Sequence, residues 1–549
     1  MIRPILVNSL HTELSYLVKR AVSYYVSTPI FYVNSSPHIG HLYTLLAADA
    51  QNIYHRLKLQ TNDTTFSSGT DEHGIKIQTA AEHGEMPYQK FCDFNTSKFY
   101  RLVKHYDIGV TNFIRTTNTN HMKAVQNLWR ELDSKGFIYR SLYSGWYCVS
   151  DEVFIPESQI VTKTDGGVEI KVDAHDNVLK WTSEENYMFR ISKVLDKVHE
   201  WLSMEKPVHP AKFNDEAIRL LELARKDDLS ISRPQARLRW GIPVPDDPSH
   251  TIYVWMDALT NYLTTMGYPC SAESLKRWPI DCQILGKDIL KFHAVYWPAF
   301  LVALGLPLPK RLLCHSHWLI DSYKMSKSKG NVVDPFEEDK ILTIEGLRYY
   351  LLRCGTFHSD TDYNRTQAIL RLNAELCGIY GNLLSRCAAT AINPDQIIPT
   401  CFSSKVDYST SIQLKRLDDL KATCETYYDY GDYYKAVDEI MSVIRVANSL
   451  YEVAKPWILV KELGTSEDAR IQHSNIQALT FETLRICSLL LQPIIPKISK
   501  KALNRMSVSD RNWSDAHVKL SLGDPSLERR KVDNFSSLDT VLFPRLKVN

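Results

Sequence analysis

The sequence Tyr32-Val33-Asn34-Ser35-Ser36-Pro37-His38-Ile39-Gly40-His41 links a predicted strand to a predicted helix. The aromatic and β-branched run Tyr24-Tyr25-Val26-Ser27-Thr28 before it is typical of a strand. Apolar residues after it recur at helical spacing and predict one buried helix face: Ile39, Leu42, Leu45, Leu46, Ile53 and Leu57. Two histidines and a glycine therefore lie in a strand-to-helix turn.

Such a turn is a natural anion site, because free backbone N–H groups and the positive end of the helix dipole point at it. Gly40 has no Cβ, so a flat ligand can lie against the backbone there. His38 and His41 can donate hydrogen bonds to a phosphate. The turn thus predicts nucleotide binding at the carboxyl end of a strand in an α/β sheet. On its own, a short His-x-x-His motif is more often a helix cap and a surface group.

A second motif far downstream, Lys324-Met325-Ser326-Lys327-Ser328, favours nucleotide binding. Together with His38-Ile39-Gly40-His41 it resembles the signature pair of class I aminoacyl-tRNA synthetases, in the order which that family uses. Lysines among serines and a glycine predict a mobile cationic loop. Such a loop can close over a leaving pyrophosphate and then release it.

Length and composition set broad limits. A chain of 549 residues is long enough for three or four domains, and 44% hydrophobic with 23% charged residues is typical of a soluble globular protein. The net charge of +2 gives no overall basic field, so a nucleic-acid partner would be held by local patches. No apolar run approaches the roughly 20 residues of a membrane helix, and no membrane contact is expected. The 11 cysteines include no C-x-x-C pair, which indicates a reducing compartment.

The order of predicted elements indicates an α/β protein with a helical C-terminal part. Strand-like and helix-like stretches alternate over 23–139, which predicts the first half of a Rossmann-like parallel-sheet domain. Residues 140–227 break the alternation with a hairpin near Val161 and a stretch at 180–190 that leads into a helix, so they predict an insertion. The parallel sheet is expected to resume near Ser230, so that 228–330 forms the second half of the Rossmann-like domain, with the lysine loop. After a linker at 331–370, helical periodicity over 371–549 predicts a helix bundle.

Polar and aromatic residues at the expected strand ends are candidate ligands. Asp71 follows a predicted strand and could bind a substrate ammonium group, or it could cap the next helix. Asp288 follows the strand-like run Cys282-Gln283-Ile284-Leu285-Gly286 and could bind ribose hydroxyls. Trp255 and His293 are equally compatible with packing in the core.

The chain resembles the methionyl-tRNA synthetases of the bacterial and organellar type over residues 24–491. The resemblance rests on these segments: Phe31-Tyr32-Val33-Asn34 with the histidine turn, Gly69-Thr70-Asp71-Glu72-His73-Gly74, Tyr253-Val254-Trp255-Met256-Asp257-Ala258, Gly286-Lys287-Asp288-Ile289-Leu290-Lys291-Phe292-His293, the lysine motif, Asn382-Leu383-Leu384-Ser385-Arg386 and Lys455-Pro456-Trp457. The resemblance implies that 331–370 contacts the tRNA stem and that 371–549 binds the anticodon.

The same resemblance implies a role for each candidate residue. The methionine pocket would be formed by Tyr32, Asp71, Trp255 and His293, with Asp71 on the amino group and the other three around the thioether. ATP would be bound by Gly40 and Asp288 at adenine and ribose, by His38, His41, Lys324 and Lys327 at the phosphates, and by Arg233 as an orienting residue. The unstacked CAU anticodon would be read by Asn382, Arg386 and Trp457.

The implied reaction joins methionine to ATP and then transfers it to tRNA(Met). Mg²⁺ would accompany ATP, ligated mostly by phosphate and water. No protein-bound zinc is expected, because Cys148 stands alone in the insertion. No oligonucleotide-binding barrel is expected after the helical part, so a monomer is predicted.

Other interpretations remain open on the residues alone. Synthetases for leucine, isoleucine or valine carry a large editing insertion, for which 140–227 is too short, and one for cysteine would need zinc-binding cysteines. A nucleotidyltransferase of small metabolites shares the histidine turn but does not need the lysine loop or the helical part. A non-catalytic RNA-binding relative is disfavoured by the intact histidines and lysines.

The first 22 residues are basic and rich in Ser and Leu, with Glu13 as their one acid. This composition resembles a mitochondrial presequence and predicts the mitochondrial matrix. The alternative is an untargeted tail on a cytoplasmic protein.

Overall fold

The computed structural model of the chain describes residues 23–148, 153–155, 160–165, 168–173, 177–269, 277–325, 330–402, 407–523, 529–531 and 541–548. The predicted presequence and Lys327 lie outside these residues. The chain divides into two compact units. The first takes in residues up to 37 and 65–314, and the second takes in 38–64 and the residues from 315 onward.

The first unit is built on a six-stranded sheet. Its strands, in spatial order, are Asn112–Arg115, Thr64–Asp71, Tyr24–Tyr32, Cys282–Gly286, Leu312–His315 and Val208–His209. Neighbouring strands run parallel where Ser67 pairs with Asn112 and where Val26 pairs with Cys282. The predicted parallel α/β sheet is thus confirmed. Its strands are buried on both faces, as the covering helices require.

Helices cover this sheet and supply most of its core. They are Ile75–His83, Tyr88–His105, Thr119–Ser134, Leu195–Met204, Ala211–Ala224, Val254–Leu259, Asn261–Thr265 and Trp297–Leu304, with a π-helical turn at Phe292–Tyr296 and 3₁₀ turns at Ile191–Lys193 and Lys287–Ile289. The helix Thr119–Ser134 shows the pattern: its apolar residues at helical spacing, such as Leu128 and Leu132, are fully buried. They pack in one core with Tyr25 and Trp297.

Two antiparallel sheets follow the first half of the parallel sheet along the chain. One has four strands in the order Leu229–Ser230, Leu179–Phe189, Ile138–Cys148 and Val153–Ile155. The other has three, in the order Ser232–Pro234, Asp247–Ile252 and Pro243–Val244. The predicted hairpin is present as Val161–Asp165 paired antiparallel with Val168–Val172.

Residues 180–190 lie mostly in the strand Leu179–Phe189 and lead, as predicted, into a helix, which begins at Leu195. The structure differs from the predicted boundaries in two places. The parallel sheet resumes at Cys282–Gly286, since 229–252 form antiparallel strands instead. Val208–His209, inside the predicted insertion, joins the parallel sheet. Strands this short carry almost no periodicity, so their partners cannot be predicted from local sequence.

The second unit is mainly helical. Its α-helices are Ile39–Leu59, Pro335–Leu342, Ile344–Cys354, Arg365–Leu372, Asn382–Ala388, Tyr408–Asp429, Tyr433–Ala454, Pro456–Leu459, Glu467–Leu490 and Pro496–Arg505, with a π-helical segment at Asn373–Gly381 and 3₁₀ turns at Val460–Glu462 and Trp513–Asp515. Small sheets join Tyr323–Lys324, Trp318–Ile320 and Thr361–Asp362, then Ile397–Pro399 with Arg529–Lys531, and Cys401–Phe402 with Ser521–Leu522. None of the helices in the described part of the chain could cross a bilayer.

The helix Ile39–Leu59, hereafter the histidine helix, belongs to the helical unit, although its sequence position suggested the sheet domain. Buried Arg348 donates to Asp49 of the histidine helix, with Nη1 and Oδ2 2.6 Å apart. The hydroxyl of Tyr433 donates to the carbonyl of Ala47 over 2.7 Å. These contacts bind the histidine helix to the helices Ile344–Cys354 and Tyr433–Ala454. Local periodicity does not predict either contact.

Candidate active site

His38 is the N-cap of the histidine helix. Its backbone is extended (φ −134°, ψ 175°), and its ring Nδ1 accepts the N–H of Gly40 over 3.0 Å. The ring Nδ1 of His41 accepts the N–H of His38 in return, over 3.1 Å. The two rings lie 3.9 Å apart between centroids. This is the reciprocal arrangement of a capping box, built from two histidines.

The capping bonds determine where the two rings carry their protons. A ring nitrogen that accepts from a backbone N–H has no proton of its own. In the neutral imidazoles of His38 and His41 the proton is therefore on Nε2. Each ring presents Nε2–H as a hydrogen-bond donor, which is the group that a phosphate oxygen requires.

The backbone N–H groups of the turn are used within the protein, in contrast to the predicted anion site. The N–H of Ile39 donates to the carbonyl of Val333 over 3.1 Å, and that of Gly40 donates to His38. A Cβ on Gly40 would lie 2.8 Å from Cε1 of His38. Gly40 thus makes room for the capping ring.

The described ends of the lysine loop lie against this turn. Cε of Met325, which is buried, lies 3.6 Å from the position that a Cβ on Gly40 would take. After the loop, Val333 bonds to Ile39 as above. Lys324 is exposed in a two-residue strand, and its carbonyl accepts from Asn331. The structure thus places Lys324 and Met325, the described start of the lysine motif, near the histidine turn, while residues 326–329, with Lys327, lie outside the described residues.

In the first unit, Tyr32 and Asp71 are each the last residue of a parallel strand. The strand ends meet through a backbone bond in which the N–H of Val33 donates to the carbonyl of Asp71 over 3.2 Å. Asp71 is 4% exposed, and the ammonium of Lys76 lies 5.5 Å from the centroid of the Tyr32 ring. The sheet therefore holds both side chains at the same edge.

His293 is buried in the π-helical turn after the strand Cys282–Gly286, and its protonation is fixed by its partners. Its Nδ1 lies 2.9 Å from the carbonyl of Ile289, which can only accept, so Nδ1 carries the proton. Its Nε2 accepts from the hydroxyl of Tyr262 over 2.7 Å. Burial lowers the pKa of His293 to about 4, so the ring is neutral at physiological pH.

Trp255 stacks on Phe292, the residue before His293. The two ring centroids are 3.5 Å apart and the planes differ by 8°. Phe292 and Tyr262 were not among the predicted site residues. A signal for Tyr262 is its distance of seven residues from Trp255, which is the spacing of one helix face. Phe292 has no such signal, since its π-helical turn is not encoded in a local pattern.

The two residues predicted to hold or orient ATP in the first unit differ in exposure. Asp288 is exposed in the 3₁₀ turn that follows the strand Cys282–Gly286. Arg233 is 2% exposed and donates to the hydroxyl of Ser230 over 3.0 Å, with its guanidinium 4.5 Å from the ring centroid of Tyr253. These contacts orient neighbouring strands.

The three predicted anticodon residues lie in the helical unit. Arg386 is paired with Glu452 over 2.6 Å, and its guanidinium lies 5.1 Å from the Tyr451 ring and 5.5 Å from the Trp457 ring. Asn382 is exposed at the start of the helix that carries Arg386. A half-buried indole beside a guanidinium can stack an unpaired base.

Comparisons with known proteins agree with this geometry. Residues 24–388 match the family described as class I tRNA synthetases (M). Residues 406–525 match the anticodon binding domain of methionyl tRNA ligase. The two matches together take in both compact units.

Relatives and solved structures are similar over almost the whole chain. The mitochondrial methionine–tRNA ligase of Takifugu rubripes is 42% identical over 97% of this chain and 91% of its own length. That of Homo sapiens is 42% identical over 95% and 90%. The structure of Mycobacterium tuberculosis methionyl-tRNA synthetase in complex with methionyl-adenylate has a TM-score of 0.86 at 35% identity, covering 95% of this chain and all (100%) of that one.

Proposed function

The chain belongs to the class I methionyl-tRNA synthetases, and from this membership we propose how its residues share the work of the reaction. The enzyme activates methionine with ATP and charges tRNA with it. The methionine carboxylate attacks the α-phosphorus of ATP, and pyrophosphate leaves. A ribose hydroxyl of the tRNA then attacks the activated carbonyl and AMP leaves. No protein nucleophile is needed, so the residues act by positioning and by stabilising charge.

His38 and His41, with Lys324 and Lys327, stabilise the phosphates in this proposal. The observation that carries it is the pair of Nδ1 caps, which leaves each imidazole with Nε2–H as its donor. The position of Met325 Cε, 3.6 Å from where a Cβ on Gly40 would lie, supports a common role for the two motifs. Because negative charge grows on the phosphate oxygens in the transition state, donors of this kind accelerate the step more than they tighten binding.

Methionine is bound by Tyr32, Asp71, Trp255 and His293 in this proposal. Asp71 pairs with the ammonium group. The thioether contacts the aromatic rings, a contact that sulfur favours. The neutral state of His293 supports this role, since a charged ring beside an apolar thioether would have to be desolvated at a high cost. Asp288 and Gly40 serve the nucleoside, and Arg233 acts on ATP only through the strands that it orients.

Mg²⁺ enters with ATP as part of the substrate. The described motif residues offer imidazole and ammonium groups and no carboxylate, which fits a metal ligated by phosphate and water. The absence of zinc stays a prediction. Its support is the environment of Cys148, a buried thiol whose Sγ lies 3.6 Å from Oδ2 of Asp173.

Asn382, Arg386 and Trp457 read the CAU anticodon of tRNA(Met) in this proposal. The stacking surface of Trp457 beside the Arg386 guanidinium supports it. The relatives from Takifugu rubripes and Homo sapiens are named mitochondrial methionine–tRNA ligases, and on that basis we propose that this enzyme acts in the mitochondrial matrix. Import of a reporter fused to residues 1–22 into isolated mitochondria tests that location. Light scattering tests the predicted monomer.

ATP–pyrophosphate exchange with each amino acid in turn, followed by tRNA charging, tests the function. Methionine alone should support exchange, and tRNA(Met) alone should be charged. Exchange with leucine, valine or cysteine at comparable efficiency would contradict the assignment. Exchange with no amino acid but with a small metabolite as acceptor would favour a nucleotidyltransferase.

A further inference from the structure

A carboxylate buried in the first unit joins two histidines from distant segments. Oδ2 of Asp257 lies 2.7 Å from Nδ1 of His73, and Oδ1 lies 2.8 Å from Nε2 of His121. Asp257 is 1% exposed, His73 is 4% exposed and His121 is fully buried. We refer to these three residues as the His–Asp–His cluster. None of them was a candidate in the sequence, and none is used by the proposed reaction.

The donors in the cluster are determined by chemistry. An ionised carboxylate can only accept, so His73 donates from Nδ1–H and His121 donates from Nε2–H. Burial alone would raise the pKa of Asp257, but the two histidines lower it below its usual value. Asp257 is therefore ionised, and it is held by one specific nitrogen of each ring.

Each member of the cluster is tied to a segment that carries a proposed methionine ligand. His73 lies two residues after Asp71, in the turn that ends the strand Thr64–Asp71. Asp257 lies two residues after Trp255 in the helix Val254–Leu259. Two helical residues differ by about 200° around the axis, so a fixed Asp257 sets the direction of Trp255 on the opposite face.

A third methionine ligand, His293, is connected through His121. Nδ1 of His121 lies 2.9 Å from Oγ1 of Thr264, in the short helix Asn261–Thr265. The same helix carries Tyr262, whose hydroxyl donates to Nε2 of His293. These hydrogen bonds, joined by the short helix Asn261–Thr265, therefore link the segments of Asp71, Trp255 and His293.

We propose that the His–Asp–His cluster positions the methionine pocket, so that Asp257, His73 and His121 set methionine affinity without touching methionine. This rests on the proposed function of Asp71, Trp255 and His293. In the described part of the chain no member of the cluster hydrogen-bonds directly to the exposed turn of Asp288, which is reached only at its end, where the carbonyl of Ile289 accepts from His293. ATP binding should therefore respond less than methionine binding. A cluster that served only folding would instead change stability and leave the ratio of the two KM values as it was.

Paired amide substitutions test the proposal. The amide nitrogen of asparagine lies where Nδ1 of histidine lies, and that of glutamine lies close to the place of Nε2. His73→Asn and His121→Gln thus keep the donor at its observed position, whereas His73→Gln and His121→Asn move it. Methionine KM, ATP KM and kcat are measured by pyrophosphate exchange, and thermal unfolding is followed for every variant.

We expect each mismatched variant to have a methionine KM at least about tenfold above that of its matched partner, with ATP KM within about twofold. Thr264→Val, which replaces only a hydroxyl by a methyl group, should raise methionine KM by about threefold or more. If the mismatched variants do not fold, this variant tests the proposal in their place. Equal methionine KM values in matched and mismatched variants, or a parallel rise in ATP KM, would overturn the proposal. An unchanged KM in Thr264→Val would do the same.

The variant Trp255→Ala distinguishes a failure of the cluster's positioning role from a failure of the proposed methionine pocket itself. A raised methionine KM in Trp255→Ala supports the pocket. With that result, equal KM values within the pairs overturn the role of the cluster alone. If Trp255→Ala leaves methionine KM as it is, the assignment of the pocket itself is wrong.

Discussion

Histidines in this protein differ in which ring nitrogen carries the proton and which one accepts a hydrogen bond. His38 and His41 accept a backbone N–H at Nδ1 and so offer Nε2–H. His293 does the reverse, since its Nδ1 donates to a carbonyl and its Nε2 accepts from Tyr262. The capping pair is local and follows from a three-residue spacing. The partner of His293 is 31 residues away, so its tautomer could not be predicted from the sequence.

Lys327→Ala should lower kcat for adenylate formation by about two to four orders of magnitude, the range for a lost donor to a developing oxyanion. Methionine KM should barely change, since the lysine acts on charge that grows in the transition state. Single-turnover formation of methionyl-adenylate measures both. Lys340→Ala removes an exposed lysine paired with Glu337 and serves as the matched control. A raised KM at an unchanged kcat would show that Lys327 binds the ground state.

Because of His293, the free energy of unfolding should decrease as the pH falls through the acid range. Its pKa is about 4 in the folded protein against 6.5 for an ordinary histidine, because burial disfavours the charged ring. Above pH 6.5 both states are neutral, and its contribution is fully present. As the pH falls from 6.5 toward 4, the unfolded chain binds the proton first, and stability is lost with a slope approaching about 1.4 kcal/mol per pH unit.

Urea unfolding of the parent and of His293→Gln at pH 7.5, 6 and 5 isolates this effect, because the other titrating groups are common to both. The parent should lose more stability than the variant between pH 6 and 5. Parallel pH profiles for the two proteins would mean that the ring is not buried in its neutral form.

At the scale of elements, long periodic helices and the strands beside the motifs could be predicted, while the strands of the four-stranded antiparallel sheet could not. The histidine helix follows from its apolar face, and the helix Tyr433–Ala454 buries the predicted stripe of Val437, Ile440 and Ile444. The strand Leu179–Phe189 is polar on one side and depends on pairing with Ile138–Cys148 along its whole length. Such pairing is a long-range property, which local propensity does not contain.

Gly40→Ala should disrupt the start of the histidine helix. The new Cβ would lie 2.8 Å from Cε1 and 2.9 Å from Nδ1 of His38, so the capping ring has to move. Loss of the cap should cost about 1 kcal/mol of stability, and the displaced imidazole should lower kcat for pyrophosphate exchange. Gly464→Ala, where nothing lies within 4 Å of the new Cβ, is the control in the same unit. Equal activity in both variants would exclude steric control of His38 by Gly40.

Trp457→Ala should weaken tRNA use by about 1–3 kcal/mol, which is the scale of one stacked base. Trp457 lies in the short helix Pro456–Leu459, directly after the helix Tyr433–Ala454. Pyrophosphate exchange without tRNA should be unchanged, because the indole contacts no described motif residue of the phosphate site. Ile458→Ala, at the neighbouring exposed position, controls for loss of apolar surface. A loss of exchange activity equal to the loss of charging would count against anticodon reading.

At the scale of the whole molecule, the division into two units does not follow the order of the chain. The histidine helix lies with the helices from 335 to 505, although its nearest neighbours in sequence are strands of the parallel sheet. The buried pair of Arg348 and Asp49 is central to this arrangement. Arg348 also donates to the carbonyls of Ile494 and Pro493, each over 2.8 Å. The guanidinium therefore joins three segments of the second unit.

Arg348→Met should be among the most destabilising single substitutions in the second unit. It removes the buried guanidinium that pairs with Asp49, and breaking such a pair costs about 3–5 kcal/mol. The double variant Asp49→Asn with Arg348→Met should recover at least about 1 kcal/mol of this loss, because the buried carboxylate is replaced by a neutral amide. Urea unfolding measures the stability of the parent, the single variant and the double variant.

The rate of pyrophosphate exchange should follow the same ranking as stability, since Arg348 binds the histidine helix, which starts at the turn of His38 and Gly40. If Arg348→Met weakened the helical unit but left exchange intact, the phosphate-binding turn would not depend on its helical surroundings.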